Sequence, residues 1–194
     1  YLDGNIHFIG TQGVGKSTIL RAILFFYNAD TQKLGIPVEK QSYTEYYFPY
    51  SNSYIVYEVA TENGPFCILS FKSMNRVCYR FIDSPYRKEF FIDEESRTAY
   101  SGTDRIRAIL DQYDVDYSRI IYTYDEYGAP LGSGSGFFID SDGTGITNYH
   151  VLDGAVKAML KTSNGKEYEI DKVLASDKKW DIIKFSIIAL SNQK

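Results

Sequence analysis

The sequence has few residues that could build a metal site, a disulfide framework or a membrane span. Its 194 residues include only two cysteines and two histidines, and the cysteines lie in apolar stretches without a second pair or nearby histidines, so neither a zinc site nor a disulfide framework is suggested. We expect Cys67 and Cys78 to be free, buried thiols. No apolar run approaches the roughly 20 residues that a membrane-spanning helix needs, and no charged and then apolar leader precedes the first predicted strand.

The chain also lacks an excess of positive charge. Its formal net charge is -4, which argues against broad nucleic-acid binding, because such binding depends on clustered Lys and Arg that neutralise phosphates. Hydrophobic residues make up 44% of the chain and aromatic residues 16%, which is enough for one ordinary domain or two small ones. A globular protein is therefore expected. Because the sequence begins at Tyr1 rather than Met, we expect a fragment or a processed product.

A glycine-rich motif near the start predicts a phosphate-binding loop. Residues 10–17 read Gly-Thr-Gln-Gly-Val-Gly-Lys-Ser, which matches the P-loop pattern. Glycines let backbone N–H groups point at the phosphates, and the N-terminus of the following helix adds partial positive charge. Lys16 is expected to reach the β and γ phosphates of ATP, and the Ser17 hydroxyl to ligate Mg²⁺. The predicted nucleotide site comprises Gly10, Gly13, Val14, Gly15, Lys16, Ser17 and Thr18.

The first half reads as strand, loop and helix, followed by an antiparallel sheet. Asn5–Ile9 is a short apolar segment, and Ser17–Asn28 has apolar residues at helical spacing. Aromatic and β-branched segments separated by turns predict strands at Tyr54–Ala60, Phe66–Phe71 and Val77–Ile82. A helix over Asp104–Gln112, capped by Thr103 or Asp104, closes this half.

Nucleotide hydrolysis needs a Walker B carboxylate and a group that orients the attacking water. Asp83 and Asp93 each follow an apolar run, but both are interpreted as ordinary turn residues at strand ends. The sequence therefore predicts binding without hydrolysis.

The segment from Asn5 to Tyr27 resembles the N-terminal ATPase lobe of SMC-like, ABC-type proteins, and the resemblance covers about residues 1–122. In that family the signature motif and Walker B lie far downstream, after a coiled coil. The resemblance implies that this lobe binds nucleotide weakly and does not hydrolyse it unaided. It also implies a partner, either a second ATPase lobe or a second copy of the chain.

The second half begins with a change of composition near Tyr124. The Gly/Ser-rich stretch Gly128–Gly136 reads as a flexible linker, and we place the domain boundary just before it. Short strands are predicted at Phe137–Ile139, Ala155–Lys161, Glu167–Leu174 and Asp181–Ile187. The sequence Ser-Asn-Gly at 163–165 predicts a hairpin.

The segment from Gly134 to Ala155 resembles the start of trypsin-like serine proteases of the HtrA type, over about residues 130–188. In that family a strand ending in Thr-Asn-x-His-Val presents the general-base histidine, and a later Asp orients it. The matching positions are His150 and Asp181. An imidazole titrates near neutrality, and a carboxylate fixes its tautomer.

The nucleophile that the resemblance requires lies several tens of residues beyond Asp181, and the chain ends at Lys194 without one. Ser133 and Ser135 belong, by this resemblance, to the first barrel strand. No peptidase activity is expected from this chain alone, and a peptide substrate is expected only if a serine is supplied from outside it. On residue type alone, a lone histidine near a strand end is more often structural.

Together these observations predict an α/β P-loop NTPase half-domain at residues 1–123, followed by a small all-β trypsin-like barrel at residues 124–194, each incomplete. A natural fusion and a chimeric reading frame both explain this combination, and we favour the chimera. Three functions stay open: an SMC-like nucleotide-binding module, a serine-protease-type domain, and an inert interaction protein. A cytoplasmic location is expected from the ATPase half, and a periplasmic one if the protease half dominates.

Overall fold

A computed structural model describes residues 7–27, 43–62, 64–74, 76–140 and 142–189. The described chain begins with helix α1 (Lys16–Tyr27) and a short helix α2 (Tyr43–Tyr47). Phe25 of α1 is buried against Phe48, and this pair forms a small core of its own. The hydroxyl of Tyr57, from the sheet, donates to the Ala22 carbonyl at 2.8 Å and so attaches α1 to that sheet.

Three antiparallel strands form the first sheet in the order β1-β2-β3. They are β1 (Tyr54–Thr61), β2 (Gly64–Ser73) and β3 (Arg76–Ile82), which confirms the three predicted strands. A 3-10 helix at Lys88–Phe90 and helix α3 (Thr103–Gln112) pack on this sheet. Apolar side chains of these elements form the first core: Cys67, Leu69, Ile82, Phe90, Phe91, Ile106, Ile109 and Leu110. Cys67 is buried and Cys78 is partly buried, and both are free thiols.

Six further strands close into a barrel in the order β4-β5-β6-β9-β8-β7. The strands are β4 (Arg119–Tyr124), β5 (Pro130–Phe138), β6 (Thr144–Thr147), β7 (Lys157–Thr162), β8 (Glu167–Asp177) and β9 (Ile182–Ala189). Helix α4 (Tyr149–Leu152) lies between β6 and β7. Buried residues of β4, β7 and β9 form the second core: Ile121, Ala158, Leu160, Ile183 and Phe185. The predicted hairpin at Ser163–Gly165 joins β7 to β8, as expected.

The Gly/Ser-rich stretch is not a linker, because Pro130–Phe138 forms strand β5 of the barrel. Two of its glycines, Gly134 and Gly136, are required by close packing. A Cβ on Gly134 would lie 2.7 Å from Cγ1 of Val151, and one on Gly136 would lie 2.9 Å from Cδ1 of Ile121. The composition suggested flexibility. The small residues instead leave room beside β5 for side chains of α4 and β4.

The barrel begins before the predicted boundary, which falls within β4. Strand β4 pairs with β5 on one side and with β7 on the other, so it is the strand that closes the barrel. The five strands that follow residue 124 would leave two open edges. The predicted barrel region therefore needs residues 119–123 to close.

A buried ion pair joins the barrel to the first sheet. The side chains of Arg119 and Asp116 are 6% and 7% exposed, and Arg119 Nε lies 2.9 Å from Asp116 Oδ2. Arg119 also lies 3.3 Å from the Asp83 carboxylate at the end of β3. Asp116 accepts hydrogen bonds from the backbone N–H and hydroxyl of Ser163, in the β7–β8 turn. One cluster thus contacts both the sheet and the barrel.

Two local predictions are wrong. The helix predicted to be capped by Thr103 or Asp104 has Gly102 as its N-cap, with φ 81° and no side-chain cap, and this left-handed conformation favours glycine over any capping side chain. Of the strand predicted at Asn5–Ile9, residues 5 and 6 lie outside the described residues. Residues 7–9 are not in a strand, because no described strand pairs with them.

Gly145→Ala is expected to destabilise the barrel by about 1–3 kcal/mol, the range typical of overpacked cores. The added Cβ would lie 2.6 Å from Cε2 of Phe185, which is fully buried. Urea unfolding measures the change. Gly132→Ala is the matched control, because its Cβ would meet only the Thr123 hydroxyl, at 3.9 Å. Equal stability of the two variants would contradict the packing described.

Arg119→Met is expected to lower the free energy of unfolding by about 3–5 kcal/mol, because it leaves the buried Asp116 carboxylate without its cation. The control is Lys161→Met, which removes an ion pair whose two side chains are 50% and 51% exposed. That change should cost no more than about 1 kcal/mol. If the two variants unfold at the same urea concentration, the buried pair does not join the two regions as described.

Candidate functional site

The predicted phosphate loop precedes α1 directly. Helix α1 begins at Lys16, and Gly13 and Gly15 have φ of 86° and 87°, a left-handed conformation that glycine adopts without strain. A Cβ at either glycine would meet no atom within 4 Å, so the space beside the loop is open. The Lys16 ammonium donates to the carbonyls of Gly10 at 2.8 Å and Thr11 at 2.6 Å.

The other predicted residues of this site lie around the same turn. Val14 is 57% exposed, and Ser17 is exposed at the first turn of the helix. Thr18 is turned toward α2, since its hydroxyl lies 3.3 Å from the hydroxyl of Tyr46. The loop therefore leaves Lys16 and Ser17 at its open side, while Thr18 contacts α2.

The second predicted site lies at one edge of the barrel. His150 is on α4, directly after β6, and Asp181 ends the turn Lys178–Asp181 between β8 and β9. Pairing of β6 with β9 places Thr147 opposite Ile183, which brings the two site residues together across 31 positions of sequence. The side chain of His150 is 72% exposed and that of Asp181 is 43% exposed, so the carboxylate is the more buried of the two.

The two side chains form a directed pair. His150 Nδ1 lies 2.7 Å from Asp181 Oδ2, and the backbone N–H of His150 donates to Oδ1 of the same carboxylate at 2.9 Å. A carboxylate can only accept, so Nδ1 carries the proton in this contact. In a neutral imidazole with its proton on Nδ1, the second ring nitrogen, Nε2, has the free lone pair that a general base needs.

Hydrogen bonds hold the Asp181 carboxyl ionised. Its pKa lies below the usual value, chiefly because it accepts the backbone N–H of His150, with further contributions from the His150 ring and the Asn148 side chain. Because folding lowers the pKa of Asp181, this contact contributes its full stabilisation of the barrel at pH values above the ordinary pKa of an Asp carboxyl. The stabilisation is lost as the pH falls through the lowered pKa.

The turn that carries Asp181 is itself held in place. Asp177 Oδ1 accepts the backbone N–H groups of Lys179 and Trp180, and the Lys178 ammonium lies 5.3 Å from the ring centroid of Tyr149 on α4. Asp181 has φ 52°, a left-handed conformation that Asp tolerates better than most residues. The turn and α4 therefore contact each other beside the pair.

One residue of this site was missed by the sequence reasoning. Asn148 donates from Nδ2 to both the carbonyl and the Oδ2 of Asp181, each at 3.1 Å. Its position in the Thr-Asn-x-His-Val pattern was the available signal, but residue type alone did not indicate a role. Within the described residues, no serine hydroxyl is hydrogen-bonded to His150.

The two carboxylates considered for hydrolysis are used elsewhere. Asp93 accepts hydrogen bonds from the backbone and hydroxyl of Ser96, which confirms it as a turn residue, and these bonds lower its pKa. Asp83 follows β3, as predicted, and pairs with Arg119. It lines a cleft of about 340 Å³ between the sheet and the barrel, to which neither predicted site contributes.

Over the described part of the chain, no helix is long and apolar enough to cross a membrane. In the same residues no group of three or more His, Cys, Asp or Glu side chains is arranged to hold a metal ion.

A family model described as "Protein of unknown function (DUF3584)" matches residues 1–129. No curated protein matches the chain. Among solved structures, the serine endoprotease from Yersinia pestis is 27% identical over 36% of this chain, with a TM-score of 0.32. The match covers 25% of that protein, so this chain spans about a quarter of its length.

Proposed function

The chain belongs to the DUF3584 family through residues 1–129, and we propose that its barrel supplies the general base of a serine-type endopeptidase. The observation that carries the proposal is the 2.7 Å contact between His150 Nδ1 and Asp181 Oδ2. It occurs at the edge of a closed six-strand barrel, at the two positions where the sequence resembles HtrA-type proteases. The combination of motif, barrel and oriented imidazole supports this chemistry more than any other.

The chemistry assigns each group one task. Nε2 of His150 accepts the proton of a hydroxyl as that oxygen bonds to the substrate carbonyl carbon, and the imidazolium later gives this proton to the leaving amine. Asp181 stays ionised and stabilises the imidazolium. No serine hydroxyl of the described residues is hydrogen-bonded to His150, and we assign this hydroxyl to a serine supplied from elsewhere. Without it, the pair retains a basic imidazole that can activate water toward a reactive ester.

The full chain is therefore expected to hydrolyse p-nitrophenyl acetate in a way that depends on His150. His150→Ala should lower the rate at least about tenfold, and Asp181→Asn should lower it by a similar factor, since general-base catalysis contributes roughly 10²–10⁴-fold. His7→Ala is the matched control, because His7 is the other histidine and is exposed. Equal rates for the His150 and His7 variants would contradict the proposal.

A second function, nucleotide binding, is favoured by the open loop before α1. Lys16 and Ser17 at the start of the helix, with two glycines in left-handed conformation, suit the phosphates of ATP and its Mg²⁺. Lys16 would exchange its two carbonyl contacts for phosphate oxygens. Ile19, Leu20 and Leu24 of α1 are each more than 40% exposed, which suits a partner such as a second ATPase lobe or a second copy.

Titration with a fluorescent ATP analogue and Mg²⁺ tests this second function. Lys16→Ala should weaken saturable binding by about tenfold or more, equivalent to about 1.4 kcal/mol. Lys72→Ala on β2 serves as the control, because it removes an equal charge far along the chain. If the two variants bind equally, or if the unaltered chain shows no saturation, nucleotide binding by this loop is excluded.

A further inference from the structure

The side chain of Asn148 is placed unusually for its position in the fold. Asn148 is the N-cap residue of α4, with an extended backbone (φ -71°, ψ 147°), yet its side chain makes no capping hydrogen bond. An Asn at an N-cap normally accepts from a backbone N–H of the first turn. Here that acceptor is supplied by Asp181, whose Oδ1 receives the backbone N–H of His150 at 2.9 Å.

We infer that Asn148 is a positioning residue, an inference that rests on the proposed function. It holds the Asp181 carboxylate where its two oxygens accept from the backbone N–H and the ring Nδ1–H of His150. Its Nδ2 bridges the Asp181 carbonyl and carboxylate, at 3.1 Å each. The two contacts fix the backbone and the side chain of the same residue. Asp181 is thereby held in its left-handed conformation (φ 52°), with one oxygen on the helix N-terminus and the other on the imidazole.

The inference requires a donor at position 148. Asp, Ser and Thr are also common N-cap residues, but an ionised Asp cannot donate. Asp at this position has the same shape as Asn. It would place one carboxylate against another and would compete with Asp181 for the His150 backbone N–H. The Asn148→Asp variant therefore removes the hydrogen-bond donor while it keeps the size and shape of the side chain.

The test compares Asn148→Ala and Asn148→Asp in the full chain by carbethoxylation of His150 with diethyl pyrocarbonate, followed by mass spectrometry. His7 in the same molecule is the internal reference. Both variants should slow the reaction of His150 relative to His7 by about threefold or more, because its Nε2 is no longer presented by a fixed Asp181. Asn164→Ala, in the β7–β8 turn, should leave the ratio unchanged.

The pH-rate profile of p-nitrophenyl acetate hydrolysis is the second readout. Both Asn148 variants should lower the His150-dependent plateau by about tenfold, within the range of general-base effects. If Asn148→Asp reacts like the unaltered chain while Asn148→Ala does not, the side chain only fills space and the inference is overturned. If the chain shows no His150-dependent hydrolysis, the proposed function fails, and the carbethoxylation ratio alone decides the role of Asn148.

Discussion

Closure of the barrel by β4 is the constraint on which the rest of the structure depends. Strand β4 receives β5 on one edge and β7 on the other, and this double pairing leaves no free edge in the six-strand sheet. The closed wall fixes β6 next to β9. That neighbourhood brings α4 to the turn that holds Asp181, so the imidazole and the carboxylate meet because the barrel closes.

The same closure connects the two regions of the chain. Arg119, the first residue of β4, is buried between Asp116 and Asp83, and the ring of Phe81 in β3 stacks on Phe137 in β5 with centroids 4.3 Å apart. The sheet, part of the family-matched region, therefore contacts the barrel through this stacked pair and this ion-paired cluster.

Local sequence patterns predicted the elements better than they predicted their assembly. The strands of the first sheet and the hairpin at Ser163–Gly165 follow from alternation and turn chemistry. Composition indicated a flexible linker over the glycine-rich part of β5, although the protease resemblance placed Ser133 and Ser135 in a barrel strand. In the fold, Gly134 and Gly136 leave room for the side chains of Val151 and Ile121. The boundary was placed inside β4 because nothing local distinguishes a strand that closes a barrel from one that belongs to the preceding sheet.

The candidate pair was predicted from a sequence motif, but the geometry of the pair could not be predicted from the sequence. His150 and Asp181 were identified by resemblance, but the role of Asn148 depends on the left-handed conformation of Asp181, which is set by the β8–β9 turn. In the loop at residues 10–17, Gly13 and Gly15 have the positive φ that glycine adopts readily. Its preceding strand does not appear at residues 7–9, because such a strand needs a neighbour to pair with.

The most direct test of this account is the protonation of the His150 ring, read from ¹⁵N chemical shifts of the neutral imidazole with His7 as reference. We expect the His150 proton to reside on Nδ1, facing Asp181, and Asp181→Asn to change this signal while leaving that of His7 unaltered. A proton on Nε2 of His150 in the unaltered chain would contradict the account, because the nitrogen that faces solvent would then have no lone pair with which to act as a base.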